Sequence, residues 1–284
     1  MTGAGLRLGA ALLAAISLAI TAWGAYTYAS SAGSIFSAGP QTWSWGAAFL
    51  SPGLGFWGVL GGLLWLVGTV LFVTELAGYS LTRRGLVRNN VRWDSLDIST
   101  AALSAAVYGG GLVATAPLVI IPGFTWIRPA NMLAPIFGMF FGLPGALGVA
   151  IGNFIADALG GFFSFGSVGG FVGNFLLAYL PYRFIGDPSL RSGASALRYY
   201  LWAVLISSLW CAIYIGWWLY VFEPLIGLPP LFVWGWFVPF VFINNGLVTA
   251  VVGPLLAYAL YPLVKRSGLY WADRVAPTSI AKPS

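Results

Sequence analysis

Long apolar runs, interrupted at short polar intervals, organise this chain. Eight of them read as membrane spans: residues 8–29, 54–82, 98–121, 130–142, 145–161, 167–184, 197–222 and 235–264. A bilayer-crossing helix needs about 20 apolar residues, and apolar runs of that length predict an all-α polytopic membrane protein. The first run follows Arg7 and ends in YASSAG, which has the outline of a secretory signal. At about 22 residues it is long enough to span, and a retained helix is expected. The fourth run is short, and only Leu143-Pro144 separates it from the fifth. That spacing predicts a tight helical hairpin or a broken pair.

Composition agrees with the pattern. Of 284 residues, 59% are hydrophobic and only 7% charged, too few charges for a soluble domain of this length. Fourteen Trp and thirteen Tyr suit two interfacial belts. The charges then set the topology. With the N-terminus inside and every span crossing, Arg7, Arg83, Arg84, Arg88, Arg92, Arg183, Arg191, Arg198, Lys265, Arg266, Arg274 and Lys282 all fall on the inner face. Only Arg128 falls outside. The positive-inside rule therefore predicts a cell-membrane protein with both termini cytoplasmic. It also explains the net charge of +6 without a nucleic-acid partner. The longest charged stretch, RRGLVRNNVRWD at 83–94, predicts a boundary between a two-span extension, 1–96, and a six-span domain with a short cytoplasmic tail, 97–284. The charge-free segment 30–53 is expected along the outer interface.

Few kinds of chemistry remain. The chain has no histidine and one cysteine, Cys211, which reads as packing in an apolar run. No metal site, cofactor or catalytic constellation is expected, and there is no phosphate-binding G-x-x-x-x-G-K-[ST]. The polar residues of the spans are more informative. Asn153 and Asp157, four apart, share a helical face, and an ionised Asp at the centre of a bilayer helix costs about 2.5–3.5 kcal/mol. On the predicted topology they fall in the outer leaflet. So do Asn174, Asn244, Asn245, Asn131 and Arg128, with Trp126 beside Arg128. In the inner half the sequence offers Glu75, expected to reach Arg83 or Arg84. Two readings of the outer cluster stay open. One is a small-molecule pocket opening outward. The other is a structural tie in which Arg128 neutralises Asp157 and the Asn side chains bond between helices. GMFFG (138–142), GVAIG (148–152) and GGFVG (169–173) read as close helix packing. The face formed by Ala101, Ala102, Ala105 and Ala106 fits either the docking of another helix or internal packing.

The stretches DISTAALSAAVYGG, RPANMLAPIFGMFFGLPGALGVAIGNFIADALGG, FVGNFLLAYLPYRF and NNGLVTAVVGPLLAYALYPLVKR carry a resemblance. Residues 97–266 resemble the substrate-binding S component of energy-coupling factor (ECF) transporters. The resemblance implies six spans, a substrate site near the outer surface, and an A-x-x-x-A face that docks a membrane scaffold subunit coupled to two ATPases. The matching alanines are Ala101, Ala102, Ala105 and Ala106. The two N-terminal spans lie outside the pattern, and the lack of histidine argues against the nickel and cobalt members.

The expected function is therefore capture of a vitamin-like or nucleobase-like micronutrient. Asn153, Asp157 and Asn174 would bind it, with Arg128, Asn131, Asn244 and Asn245 at the mouth and Trp126 stacking on a flat ring. The rival reading is an accessory or anchoring subunit of a larger membrane complex, reusing the fold without transport. An intramembrane enzyme has no residues in its favour.

Overall fold

Glycine and proline, more than polarity, decide where the helices stop. The computed structural model describes residues 3–82, 85–89, 91–121 and 125–274. Helix α1 (Gly3–Ala38) runs well past its expected end at residue 29. The small polar residues there do not break it, because their hydroxyls fold back on the helix: Ser30 donates to Thr27 O (3.0 Å) and Ser34 to Ser31 O (2.9 Å). It stops only at Gly39, whose φ of 106° is followed by Pro40. The segment expected to be an interfacial loop is thus the end of α1, a 3-10 turn at Pro40–Thr42, and helix α2 (Ser44–Leu50). Trp43 is fully buried, and its indole donates to Thr27 Oγ1 (3.0 Å).

Helix α3 (Leu54–Leu76) also ends earlier than expected, in a ribbon of β1 (Tyr79–Thr82) and β2 (Gly85–Arg88) that sets Tyr79 opposite Arg88. Glu75 has partners that the sequence did not suggest. It is buried, and its carboxyl accepts from Tyr179 OH (2.7 Å), Ser80 Oγ (2.9 Å) and Asn89 Nδ2 (3.2 Å). Arg83 and Arg84, its expected partners, lie outside the described residues, as does Lys282.

Asp94 caps helix α4 (Ser95–Thr115) by accepting from the backbone of Leu96 and Asp97. A short ribbon, β3 (Val119–Ile121) with β4 (Thr125–Trp126), then leads through a 3-10 turn at Pro129–Met132 into α5 (Leu133–Phe141). Gly142, at φ 67°, reverses the chain directly into α6 (Leu143–Gly160), so the tight helical hairpin forms. After α7 (Gly166–Phe184), helix α8 (Gly193–Tyr199) continues through a π-helical turn into α9 (Ser207–Val221). Short helices α10 (Glu223–Ile226) and α11 (Pro230–Phe232) follow. A second π-helical turn at Val233–Phe237 then runs into α12 (Val238–Val251), and α13 (Gly253–Arg266) and α14 (Trp271–Arg274) complete the order.

Each of the eight expected runs contains a helix. Among the described residues, six helices are long and apolar enough to cross a bilayer: Gly3–Ala38, Leu54–Leu76, Ser95–Thr115, Leu143–Gly160, Gly193–Val221 and Pro230–Val251. The helix Pro129–Phe141 is shorter, roughly 20 Å against a hydrocarbon core of about 30 Å. The eighth run is not continuous. Pro254 has no N–H for the carbonyl four residues back, and the helix breaks between α12 and α13. Two phenols satisfy the carbonyls at the break: Tyr199 OH donates to Thr249 O (2.8 Å) and Tyr200 OH to Ala250 O (3.3 Å).

Small residues hold the bundle together. Helices α4 and α6 touch backbone to backbone: a Cβ at Gly109 would press on Gly152 O, and one at Gly152 on Ala105 O. Helix α5 meets α7 where Gly138 lies against Ala178 O. The N-terminal helices join the same assembly, with α1 packed along α8 and α12. Helix α3 is tied to α9 by Trp210 Nε1 to Leu64 O (3.0 Å), Trp217 Nε1 to Gly58 O (3.0 Å) and the Thr69–Tyr214 hydroxyl pair (2.8 Å).

Two substitutions separate packing from propensity. G138A places a methyl against backbone that cannot yield and should cost about 1–3 kcal/mol, read as a lower Tm in detergent. G33A, where a Cβ meets nothing within 4 Å, should leave Tm unchanged or raise it.

Candidate functional site

A carboxyl on an apolar helix has to be compensated, and the chain compensates Asp157 from a distant segment. Asn153 and Asp157 sit one turn apart on the same face of α6, both buried. Arg128 immediately precedes the turn that begins at Pro129. Its guanidinium crosses to α6, donating to Asn153 Oδ1 (2.6 Å) and to Asp157 Oδ1 (3.1 Å). Asn153 Nδ2 donates in turn to Asp157 Oδ2 (3.3 Å). The Arg128 backbone is fixed as well, its N–H donating to Asn244 Oδ1 on α12 (3.2 Å).

A second polar layer lies beside the first. Asn131 donates through Nδ2 to Asn245 Oδ1. Tyr108, buried on α4, sets its single hydroxyl proton between Asn174 Oδ1 (2.7 Å) and Asn131 Oδ1 (2.9 Å). Asn174 Nδ2 donates to Gly170 O (2.9 Å). One proton shared by two carbonyl oxygens leaves acceptor capacity unused.

These groups line one cleft. Arg128, Asn131, Asn153, Asp157, Asn174, Asn244 and Asn245 all face it, and Phe162, Ile215, Leu219, Phe237 and Val241 supply apolar wall. Its cavity volume is about 60 Å³, well below the roughly 300–1,000 Å³ usual for small-molecule sites. Of the two readings left open by the sequence, the tie is formed: Arg128 and Asp157 do pair, and the pair is part of the cleft wall. Trp126 belongs to β4, but its side chain lies outside what the structure describes.

Sequence reasoning missed Thr125, Ser167, Gly170 and Cys211, which also line the cleft, and Tyr108, which orients its amides. One signal was available. Ser167, Gly170 and Asn174 fall at i, i+3 and i+7, a single helical face. The cleft presents a carboxylate acceptor, a guanidinium donor, amides that do both, and apolar walls. Among the described residues, no group of three or more His, Cys, Asp or Glu is placed to hold a metal ion.

The alanine face is split. Ala101 and Ala105 are half-buried against α6, while Ala102 and Ala106 are exposed. All four line an apolar groove between α4 and α6, with Trp93 and Ile98 beside them and Ile151, Ile155 and Leu159 opposite. At the start of α4, Arg274 of α14 bridges Asp94 (2.9 Å) and Asp97 (2.8 Å).

The family model described as QueT transporter matches residues 98–262, more than half of the chain. No curated protein and no solved structure matches it.

The Arg128–Asp157 pair makes a prediction that is independent of any ligand. Removing one partner of a buried ion pair costs about 3–5 kcal/mol, whereas replacing both by apolar side chains can be neutral. R128M should lower Tm in detergent sharply, and R128M/D157L should recover most of the loss. A double variant no better than the single one would mean the pair does not hold the cleft wall.

Proposed function

Because the chain belongs to the QueT transporter family, S components of the energy-coupling factor type that transport queuosine precursors, we propose that it captures such a precursor in the Arg128–Asp157 cleft. The family makes the chain a multi-pass membrane transport protein for a micronutrient. The site, the side from which it is reached and the motor are our reading.

One observation carries it: seven polar side chains from separate parts of the sequence meet at one cleft around a buried guanidinium–carboxylate pair. Opened beyond its present volume of about 60 Å³, a cleft with this lining would suit a neutral heterocycle better than a simple ion. A guanine-like edge offers two adjacent N–H donors and one carbonyl acceptor. Asp157 would accept from the donors, and Arg128 or Asn153 would donate to the carbonyl. Asn131, Asn174, Asn244 and Asn245 would satisfy the remaining ring atoms, and the apolar wall would cover the ring faces. Trp126, two residues from Arg128 in sequence, is kept as a stacking partner. Binding would need no net charge on the ligand, because the protein's two charges already balance.

Entry would be from the outer face, since the charge asymmetry of the sequence predicts Arg128 outside and both termini in the cytoplasm of the cell. The chain contains no phosphate-binding loop of its own, so hydrolysis would belong to two partner ATPases. A membrane scaffold subunit would transmit their work by docking in the groove of Ala101, Ala102, Ala105 and Ala106. The two N-terminal helices, residues 1–96 with their basic loop, would form a separate extension fixed to the 97–284 transport domain.

Two variants should separate capture from coupling. D157N takes the charge out of the buried pair, so it should lower Tm and also weaken binding of a queuosine-precursor base by roughly 30–100-fold, and R128M/D157L, which recovers Tm, should bind as weakly. Unchanged affinity, measured by titration calorimetry, would remove Asp157 from the site. A106W fills the groove and should leave that affinity intact while abolishing uptake by whole cells. Normal uptake would remove the groove from the docking surface.

A further inference from the structure

The first helix buries only a narrow face. Its buried residues are Ala10, Ser17, Thr21, Gly24 and Ile35, and the first four of these are small. Ser17 and Thr21 turn their hydroxyls back on their own helix, to Leu13 O (2.7 Å) and Ser17 O (2.8 Å), which leaves carbon for the neighbour. That neighbour is α12. A Cβ at Gly24 would press on Ile243 Cδ1 (2.5 Å) and Cγ1 (2.8 Å), and one at Gly246 on Thr21 Cγ2 (3.0 Å).

Ile243 and Gly246 bracket Asn244 and Asn245. At about 100° per residue, the mean direction of the outer pair is opposite that of the inner pair. Contact with α1 on one side of this turn therefore aims both asparagines into the cleft on the other. There Asn244 Oδ1 accepts from the Arg128 N–H (3.2 Å), and Asn245 Oδ1 accepts from Asn131 Nδ2. The turn is also set from its N-terminal side. The π-helical turn at Val233–Phe237 holds one residue more than an α-helical turn, and its relaxation would rotate everything after it by about 100°. The N-terminal segment packs there too: a Cβ at Gly235 would meet Leu50 Cδ1 of α2 (2.7 Å) and Pro40 Cβ (3.0 Å). Thr21, Gly24, Pro40 and Leu50 all precede residues 98–262, the part matched by the family model.

We infer that α1 is the backing of the cleft and that Gly24 is a positioning residue for it. By letting α1 approach Ile243, Gly24 holds Asn244 and Asn245 toward Arg128 and Asn131. The inference rests on the proposed function and deepens it, adding the N-terminal extension to the site, and its main readout needs no ligand.

The test is hydrogen–deuterium exchange, read at single amides by mass spectrometry on full-length protein in detergent. The Arg128 amide reports on Asn244. The Ile127 amide, bonded to Leu118 O (3.0 Å) beside the β3–β4 ribbon, is the internal control. G24L should speed exchange at Arg128 by roughly 10-fold, as expected for loss of one hydrogen bond, and leave Ile127 unchanged. G24L/I243A trades one large side chain for the other across the contact and should restore the Arg128 rate. Should G24L fail to fold, G246A takes its place and T21S its rescue, since T21S removes the methyl that the new Cβ meets. An unchanged Arg128 rate would overturn the inference, and so would acceleration at Arg128 and Ile127 alike that neither rescue reverses. Titration calorimetry with 7-deazaguanine on the same proteins tests the reading beneath. G24L should bind it more weakly and G24L/I243A normally. If the unaltered protein does not bind it, the proposed cleft chemistry fails, while the exchange rates still decide the role of α1.

Discussion

The cost of placing a carboxyl on an apolar helix constrains the site more than any other single term. Asp157 has to be neutralised inside the protein, and the guanidinium that does so comes from the segment between β4 and α5. That requirement fixes where the segment crosses the bundle. It brings the Arg128 backbone to Asn244 on α12, and it places Asn131, just beyond, against Asn245. A charge pair that would be a weak contributor on a surface here dictates the arrangement of α5, α6 and α12 around one space. Its electrostatic balance is also what leads us to propose a ligand with both donors and acceptors and no net charge.

The glycine contacts make the arrangement possible. Backbone approach between α4 and α6 sets the Asn153–Asp157 face inward and turns the flank of α4 carrying Ala102 and Ala106 outward. The same α4 sends Tyr108 inward to Asn131 and Asn174. One helix therefore borders both the cleft and the groove. Lipid gives little drive for helix association, so close van der Waals contact and interhelical hydrogen bonds must supply it. The chain uses both, and the second also fixes α3 to the bundle through Glu75 and Tyr179.

Much of this was legible in the sequence, for a physical reason. Apolar runs of bilayer length have few alternatives, so each of the eight runs holds a helix. Span direction alone predicts one depth for Asn153, Asp157, Asn174, Arg128, Asn131, Asn244 and Asn245, and all seven line one cleft. What the sequence hid was partner identity. Among the described residues Glu75 bonds a phenol 104 positions away, a contact that no local spacing announces. Helix α1 outran its expected end because Ser and Thr can bond back to their own helix, so small polar residues do not mark a boundary as Gly39-Pro40 does. Ser167 and Gly170 were passed over because neither carries charge. The place of Gly170 in the cleft shows only once Asn153 and Asp157 stand opposite it. The family match covers the part of the chain from which the resemblance had been read.

The most direct measurement is native mass spectrometry of the complex drawn from gently solubilised membranes on a C-terminal tag. The account predicts this chain with a membrane scaffold subunit and two ATPases, and a retained small heterocycle that dissociates on activation. A fixed set of other membrane subunits, with no ATPase and only lipid bound, would contradict it. The Arg128–Asp157 pair would then be an interhelical tie in a fold recruited as a structural part.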